Sequence, residues 1–382
     1  MNKVGMFLDE ITDQNISTSE KFKKVGLNTG NMLFWHSLKT NIDLDIKSPW
    51  YTFHPENLNK RNYKAFVCTD LIWIREMVDF SYLNRVLDVV GDVPLVPISV
   101  GLQAENYDAD FKIHPETIKV LKRISERCVM GVRGNYTAEI LSKYGITNFE
   151  VIGCPSMFMP GGKYDKLNNL PKKIENVTTN CVTFCDKLNQ HKVDFLTYCV
   201  EYNFSFTEQT QAVLSEKSIP DGQIMSRIKE WIDAKSNCFF DIEAWREYMR
   251  GFDFSMGMRF HGNVIALWEG VPSLFITCDS RTKELCKFYS LPNIDAEEFD
   301  PSKPVEYYYE LADYTAFQRE YPKKLRNWEN FLEINGLNDN VSMLQYIRKD
   351  LKKIQLQNEA LNIKLDKQQR ELDMLKELLT KL

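Results

Sequence analysis

The sequence predicts an α/β protein made of two domains and a C-terminal coiled-coil helix. Three observations support this prediction. Strand-like apolar runs alternate with helical stretches through both halves of the chain, which is typical of βαβ units and a parallel sheet. Residues 163–173 form a polar segment that we interpret as a linker. A heptad repeat of apolar residues occupies positions 344–382.

Length and charge limit the classes of function. The chain has 382 residues, 43% of them hydrophobic, which is enough to bury the cores of two domains. Its net charge is −5 and its pI about 5.7. This balance argues against an extended nucleic-acid-binding surface, so any anion site must be local.

Cysteine usage and hydropathy predict the compartment. There are nine cysteines but no CxxC and no close Cys/His cluster. Cys181 and Cys185 lie four positions apart in an apparent strand, and we interpret the cysteines as buried, reduced thiols. The pattern predicts no metal site. No apolar run approaches ~18 residues and no signal-peptide core is visible, so we expect a cytoplasmic protein without a membrane span.

The first predicted domain covers residues 1–165. A strand-like start and a glycine turn at Lys24–Asn31 lead into the helical run MLFWHSLKTNI. The other predicted strands are Tyr63–Cys68, Val93–Val100, Cys128–Val132 and Phe149–Gly153, and the predicted helices include Pro115–Arg127 and Tyr136–Tyr144. Polar side chains that follow turns or strand ends are candidates for ligand contact, since open α/β sheets bind ligands there; they are Asn31, Gln103, Glu105 and Arg133.

The second predicted domain covers residues 175–335 and repeats the alternation. Its predicted strands are Asn180–Phe184, Phe195–Phe204, Cys238–Phe240, Phe252–Met258 and Ser273–Thr277. Its predicted helices are Gln223–Ala234, Ile242–Arg250, a helix ending at Gly270, and Thr282–Tyr289.

The most informative stretch is FDFSMGMRFHGNVIALWEGVP, at 252–272. An apolar strand breaks into a helix closed by Gly270 and Pro272, and Arg259 and His261 lie at the break beside Gly262. Free helix N–H groups and the positive end of the helix dipole gather at such a point. An arginine, an imidazole and free amides predict a site for an anion that must also be protonated.

Charged residues follow the next strand as well. Asp279, Arg281 and Lys283 come directly after Ser273–Thr277, at the edge of the sheet where Arg259 and His261 also lie. Two neighbouring strand ends would therefore place three cations, an imidazole and a carboxylate around one crevice.

The C-terminal segment, residues 341–382, is predicted to be a coiled coil that makes a homo-oligomer. Its a positions are Leu344, Leu351, Asn358, Leu365, Leu372 and Leu379, and its d positions are Ile347, Ile354, Leu361, Gln368, Leu375 and Leu382. A single Asn at an a position favours a parallel, in-register pair of chains. The alternative is a helix that folds back on the globular part.

Four segments resemble the polysaccharide pyruvyl transferase family. They are NTGNM, VRGNYTAEILSKYGI, VIGCPSMF and MGMRFHGNVIALWEGVPSLFITCDSRTKEL, and the match spans about residues 25–292. The resemblance implies two Rossmann-like domains facing across a cleft, similar to GT-B glycosyltransferases. It also implies transfer of pyruvate from phosphoenolpyruvate onto two hydroxyls of one sugar as a cyclic ketal, in capsular or exopolysaccharide synthesis.

The resemblance implies donor-site roles for Arg259, His261 and Arg133, and the chemistry of the reaction suggests roles for the other candidate residues. His261 would be the general acid, with Asp279 or Glu105 as candidate bases. Residues expected to bind the donor phosphoenolpyruvate, a co-substrate that replaces any bound cofactor, are Arg259, Arg133, Arg281, Lys283, Gly262 and Asn263. Residues expected on the acceptor side are Asn31, Gln103 and Glu105. Were the acceptor a lipid-linked oligosaccharide, the enzyme would act at the inner membrane face.

The sequence departs from the family pattern at two places, and two other functions stay open. CTDLIW replaces a glycine-rich stretch, and Cys154-Pro155 replaces a frequent Asp-Pro. One alternative is a GT-B glycosyltransferase that uses a nucleotide sugar and grips its ribose through an acidic residue such as Glu269 or Glu284. The other is a non-catalytic scaffold whose coiled coil recruits capsule enzymes.

Overall fold

Parallel β-sheets flanked by helices form the framework of the chain. A computed structural model describes residues 3–54, 58–167, 173–181, 189–210 and 222–338, together with a few positions between 364 and 373. The strands in these ranges are β1 (Lys3–Phe7), β2 (Leu44–Lys47), β3 (Tyr63–Cys68), β4 (Leu95–Pro97), β5 (Met130–Val132), β6 (Phe149–Val151), β7 (Val177–Asn180), β8 (Ser205–Glu208), β9 (Ser236–Cys238), β10 (Phe254–Gly257), β11 (Ser273–Thr277) and β12 (Asn293–Asp295).

The helices alternate with these strands, as the sequence predicts. They are α1 (Thr18–Lys24), α2 (Asn31–Asn41), α3 (Leu83–Val90), α4 (Pro115–Ser125), α5 (Asn135–Lys143), α6 (Gln190–Glu201), α7 (Gly222–Lys235), α8 (Ile242–Met249), α9 (Phe260–Trp268), α10 (Ser280–Tyr289), α11 (Val305–Glu310) and α12 (Thr315–Ile334).

Two main sheets divide the strands between the two halves of the chain. The first has the order β2-β1-β3-β4, and an isolated bridge from Val100 to Val132 continues it toward the parallel pair β5-β6. The second has the order β12-β11-β10-β7-β8-β9. Every strand pair in the described ranges is parallel. Because parallel strands need crossover connections, the helices cover the faces of both sheets.

The α/β class with parallel sheets is therefore confirmed. Residues 1–339 form one compact unit, which contains both sheets, and residues 340–382 form a second. The domain bounds of 1–165 and 175–335 stay a prediction. Most positions of the predicted coiled coil, 344–382, lie outside the described residues, so that prediction also stays untested. None of the described helices is long and apolar enough to span a membrane.

Two local predictions are wrong. The run Phe195–Phe204, read as a strand, belongs mostly to helix α6, which Asn189 caps by accepting a hydrogen bond from the Lys192 amide at 3.1 Å. Its aromatic content suggested a strand, but burial in the core overrides that propensity. The segment from Lys24 is not strand-like either, because Lys24 ends helix α1 and a turn follows it.

Strand β10 lies inside the second sheet, between β11 and β7, and it positions the candidate site. All four of its residues are buried, and so is every residue of helix α9 apart from His261. The β10–α9 junction is thus held by a strand and a helix that are both packed in the core. A side chain placed at this junction has little freedom to move.

Candidate active site

Helix α9 begins without a side-chain cap. Arg259 occupies the N-cap position in an extended conformation, and its side chain makes no capping hydrogen bond. The amides of Phe260, His261 and Gly262 have no acceptor among the described residues. Three N–H groups and the positive end of the helix dipole are therefore available to an anion.

A buried amide network fixes this junction. Asn180, at the end of β7, accepts a hydrogen bond from the Arg259 amide at 2.7 Å and donates one to Asn263 at 2.9 Å. Asn263 donates in turn to the Gly257 carbonyl at 2.9 Å, and Ser255 donates to Asn263 at 2.9 Å. Both amide side chains are fully buried. Asn263 was predicted to bind the donor. In the structure, its side chain holds the β10–α9 turn in place.

Arg259 is oriented by neutral oxygen atoms. Its Nε donates to the Cys181 carbonyl at 2.9 Å, and its Nη2 donates to Thr210 Oγ1 at 3.1 Å. The side chain is half-buried. These two hydrogen bonds hold the guanidinium beside the start of α9.

His261 lies in the first turn of α9, against the first half of the chain. Its ring lies 5.7 Å from the Phe34 ring, and its Nε2 is 3.5 Å from Cys154 Sγ. Burial, together with the positive charges of Arg133 and Arg281, lowers the pKa of His261 to about 3. The imidazole therefore does not keep the near-neutral pKa of a free histidine. A proton on this ring requires a compensating negative charge nearby.

Arg133 approaches the same region from the first half. It follows β5 and is 4% exposed. Its Nε donates to Ser99 Oγ at 3.1 Å, and its Nη1 donates to the Ile72 carbonyl at 3.1 Å. Arg133 and Arg281 both act electrostatically on His261, so the structure brings these predicted residues together.

The junction before α10 has a different character. Asp279 caps α10 by accepting hydrogen bonds from the Thr282 amide at 2.8 Å and the Thr282 hydroxyl at 2.9 Å. Its other oxygen accepts from Arg281 Nη2 at 2.9 Å. Burial would raise the pKa of Asp279, but Arg281 and Thr282 hold it below its ordinary value. The predicted base is thus engaged as a helix cap. Lys283 binds Asn106 at 2.8 Å and forms an ion pair with Asp295.

The predicted acceptor residues are dispersed. Asn31 donates to the Val25 carbonyl at 2.9 Å and so closes its own turn. Gln103 accepts a hydrogen bond from Arg75 at 3.1 Å, and Glu105 is exposed. The roles of these three residues in acceptor binding stay a prediction.

Sequence reasoning missed a polar contact between the two halves. The Thr29 amide donates to the Gln209 carbonyl at 2.8 Å. Thr29 Oγ1 and Gln209 Nε2 are buried without a partner among the described residues. The Gln209 carboxamide lies against Gly30 and Gly262, where an added Cβ would come within 2.6 and 2.7 Å of it. The NTGN turn marks Thr29 in the sequence, whereas no sequence signal marks Gln209.

Glu284 is a second missed link. It lies on α10, and its carboxylate accepts hydrogen bonds from the Thr137 amide at 3.2 Å and the Thr137 hydroxyl at 2.8 Å. Thr137 belongs to the first turn of α5, so a residue of the second half caps a helix of the first. Burial raises the pKa of Glu284 to about 7, against the opposing effect of the Thr137 hydrogen bonds.

A cavity of about 240 Å³ lies beside helix α2. Met32, Trp35, His36 and Lys39 line it from that helix. The α2 residues that approach His261 are Gly30 at its start and Phe34. With 3.6 residues per turn, these two sets lie on opposite faces of the helix. The cavity is therefore separated from His261 by the body of α2.

The comparison with family models identifies the chain. The model of polysaccharide pyruvyl transferases matches residues 28–280, which include both sides of the site described above. The chain belongs to the polysaccharide pyruvyl transferase family. The resemblance seen in the sequence is thereby confirmed, and this family is one of transferases. None of the curated proteins compared with the chain matches it in sequence.

Several solved structures resemble this chain in backbone structure but share little sequence identity with it. S. aureus MnaA, solved with UDP, is 8% identical, with a TM-score of 0.42 and coverage of 91% of this chain and 95% of that one. Anabaena HepE, solved with UDP and glucose, is 11% identical, with a TM-score of 0.41 and coverage of 92% and 100%. A Klebsiella pneumoniae protein described as uncharacterized is 10% identical, with a TM-score of 0.39 and coverage of 75% and 88%.

This pyruvyl transferase family member shows no metal-binding cluster in the described residues. No group of three or more His, Cys, Asp or Glu side chains there is arranged to hold a metal ion. The positive charges around His261 come from arginine side chains and from the N-terminus of α9.

Proposed function

We propose that the protein transfers the pyruvate unit of phosphoenolpyruvate onto two hydroxyls of a sugar as a cyclic ketal, in capsular or exopolysaccharide synthesis. The observation that carries this proposal is the uncapped start of α9. It presents His261 and three free amides, and Arg259, Arg133 and Arg281 surround it from both halves of the chain.

The charges of the donor suit this arrangement. Phosphoenolpyruvate carries a phosphate and a carboxylate on adjacent atoms. A phosphate fits the N-terminus of α9, where amide hydrogens and the helix dipole converge. The carboxylate is a planar acceptor that matches a guanidinium fork, and the guanidinium of Arg133 acts electrostatically on His261 from the first half. The negative charges of the donor would also favour a proton on His261.

The reaction needs one proton at a defined carbon. His261 would donate to C3 of the enol, which leaves an oxocarbenium-like centre at C2 for the first sugar hydroxyl. The C2–O bond to phosphate then breaks, and the second hydroxyl closes the ring. Of the two hydroxyl protons released, one replaces the proton spent on C3 and the other leaves on phosphate.

The acceptor must reach C2 of the donor beside His261. The cavity lined by Trp35 and His36 lies on the other face of α2, so the ketal cannot form inside it. We therefore propose that the acceptor enters the cleft beside Gly30 and Phe34. Testing free and lipid-linked oligosaccharides as candidate acceptors decides which of the two the protein modifies.

The test is an incubation of the purified protein with phosphoenolpyruvate and candidate acceptors, with phosphate release and the acceptor mass as readouts. We expect phosphate release that depends on the acceptor, together with the mass gain of a ketal. The variant His261→Gln keeps a polar side chain but cannot donate a proton as imidazolium, and should lose roughly 10²–10⁴-fold in rate.

Calorimetry separates the alternative functions. Binding heat with phosphoenolpyruvate and none with UDP- or GDP-sugars supports the proposal. Heat with a nucleotide sugar alone would overturn it in favour of glycosyl transfer. A His261→Gln variant that still leaves pyruvate on the polysaccharide in cells would favour the scaffold function.

A further inference from the structure

Gln209 lies at the same edge of the second sheet as the start of α9. Strands β8, β7 and β10 are neighbours in that sheet and pair in parallel, so their carboxyl ends meet there. Gln209 directly follows β8. Its Nε2 would lie 2.7 Å from a Cβ added at Gly262, which belongs to the first turn of α9. The Gln209 carboxamide therefore faces the N-terminus of α9.

Two hydrogen bonds fix the backbone of Gln209. Its amide donates to the Glu208 carboxylate at 2.8 Å, and its carbonyl accepts from the Thr29 amide at 2.8 Å. The first bond comes from strand β8 and the second from the first half of the chain. Since the side chain is also only 1% exposed, its carboxamide is held against α9 and cannot turn into solvent.

The end of this side chain lacks a partner. Gln209 Nε2 is buried, and no acceptor for it lies within the part of the chain that the structure describes. A buried donor without an acceptor destabilises a folded protein, and most buried polar groups in native proteins are paired. Gln318 follows that rule, since its buried carboxamide donates to the Tyr164 carbonyl at 3.1 Å. The unpaired nitrogen of Gln209 therefore indicates a ligand that supplies the acceptor.

The groups beside this nitrogen indicate the class of ligand. The amides of Phe260, His261 and Gly262 also find no acceptor among the described residues. All of these groups are N–H donors, and the helix dipole favours negative charge at the same point. A phosphoryl group carries three acceptor oxygens, so it can bind main-chain and side-chain donors together. A sugar hydroxyl offers one oxygen and no charge.

We propose that Gln209 binds a phosphoryl group at the start of α9, with Nε2 donating a hydrogen bond to one of its oxygens. That this group is the phosphate of phosphoenolpyruvate rests on the proposed function. A carboxamide exchanges no proton in the reaction. Gln209 would therefore hold the phosphoryl group in the donor and in the released phosphate alike.

A matched pair of substitutions tests this contact. Gln209→Met keeps the length of the side chain but removes its N–H donors, and Gln318→Met makes the same change at a paired carboxamide. Calorimetry measures the affinity of each protein for inorganic phosphate and for phosphoenolpyruvate. We expect Gln209→Met to bind both roughly tenfold or more weakly, because a hydrogen bond to a charged group is lost. Gln318→Met should bind both as the wild type does.

Stability without ligand should change in the opposite order. Gln318→Met breaks a buried hydrogen bond and should lower the midpoint of denaturant unfolding. Gln209→Met breaks none and should leave the midpoint unchanged or raise it. A midpoint lowered as much in Gln209→Met as in Gln318→Met would show that Nε2 has a structural partner, such as a buried water molecule, and would overturn the proposal.

The binding measurements can overturn the proposal in three further ways. Gln209→Met could keep the wild-type affinity for both ligands, or the wild type could bind no inorganic phosphate. A loss confined to phosphoenolpyruvate would place Gln209 against another part of the donor. Each of these results refutes a contact between Gln209 and the phosphoryl group.

Gln209→Glu provides a second variant of nearly the same shape. It replaces the donor with a carboxylate, so phosphate affinity should fall further than in Gln209→Met. An affinity equal to that of the wild type would refute the contact. Phosphate binding that depends on Gln209, in a protein that transfers no pyruvate, would refute the proposed function alone.

Discussion

Helices α9 and α10 begin at neighbouring strand ends, yet their N-termini differ. Each follows a strand of the second sheet, β10 and β11, which pair in parallel. The start of α9 has no side-chain cap, whereas Asp279 closes the start of α10 with a capping box. The first three amides of α9 have no acceptor among the described residues, whereas at the start of α10 the Thr282 amide donates to Asp279 and the Ser280 amide to the Ala104 carbonyl.

The side chains at the two junctions also have different partners. Arg259 donates hydrogen bonds to the Cys181 carbonyl and to the Thr210 hydroxyl. Arg281 and Lys283 each pair with a carboxylate. Ser280 also binds the first half, donating to the Ala104 carbonyl at 2.9 Å. Position at a strand end therefore selects both junctions as candidates, but capping distinguishes the open start of α9 from the start of α10, which joins the halves.

The largest effect is expected from closing the α9 junction with Gly262→Ala. The added Cβ would lie 2.7 Å from the carboxamides of Asn180 and Gln209, which would have to move. A displacement of about 1 Å at the site can lower the reaction rate roughly a hundredfold. Overpacking typically lowers the free energy of unfolding by about 1–3 kcal/mol. Transfer rates and denaturant melts measure the two effects.

Gly222→Ala is the matched control. Gly222 is also in the first turn of a helix, α7, and an added Cβ there meets none of the described residues within 4 Å. We expect this variant to keep its activity and stability. Comparable rates for Gly262→Ala and Gly222→Ala would show that the tight packing around α9 does not matter for the reaction.

The second largest effect concerns the link between α10 and the first half. Burial raises the pKa of Glu284 to about 7, from an ordinary value of 4.5. The folded protein binds this proton more tightly than the unfolded chain, so the free energy of unfolding should fall as the pH rises from about 4.5 to 7. Glu284→Gln removes this titration. Its unfolding free energy relative to the wild type should therefore rise by about 2 kcal/mol over the same range. Denaturant melts at both ends of the range measure it, and parallel pH curves would contradict the assignment.

A paired substitution compares the two arginines directly. Arg259→Lys should weaken donor binding by about 1.4 kcal/mol, or roughly tenfold, because a lysine cannot replace the bidentate fork. Arg281→Lys should have a smaller effect, since a lysine can still pair with Asp279. Calorimetry with phosphoenolpyruvate checks both. Equal losses for the two variants would mean that α10 contacts the donor as strongly as α9 does.

The sequence predicted local features better than contacts between the halves. Strand β11 and the β10–α9 break follow from apolar runs and glycine positions, which are encoded locally. The pairs Cys154–His261 and Thr137–Glu284 join positions more than a hundred residues apart. They arise only when the halves pack, so no periodicity in one sequence reveals them. The single apolar run of α6 was misread because a buried helix and a buried strand look alike at that length.

The role of Asp279 could have been read locally. An aspartate directly before a helical run is the usual N-cap, and Thr282 follows it three positions later. Sequence reasoning began the helix at Thr282, which left Asp279 outside it and available as a base. Because the functional interpretation depended on the helix boundary, an error of two residues changed the role assigned to a carboxylate.

The smallest effect on stability and transfer rate is expected from Asp279→Asn, which tests whether Asp279 is a helix cap or a general base. Asparagine caps helices as well as aspartate, so Asp279→Asn should change stability by no more than about 0.5 kcal/mol and leave the transfer rate nearly unchanged. Asp279→Ala loses the cap and should cost about 1 kcal/mol in denaturant melts. If Asp279 were a general base, both variants would be equally inactive, because neither asparagine nor alanine can accept the proton. If Asp279→Asn folds normally but no longer transfers pyruvate, Asp279 takes part in the reaction. The start of α10 would then belong to the active site together with the start of α9.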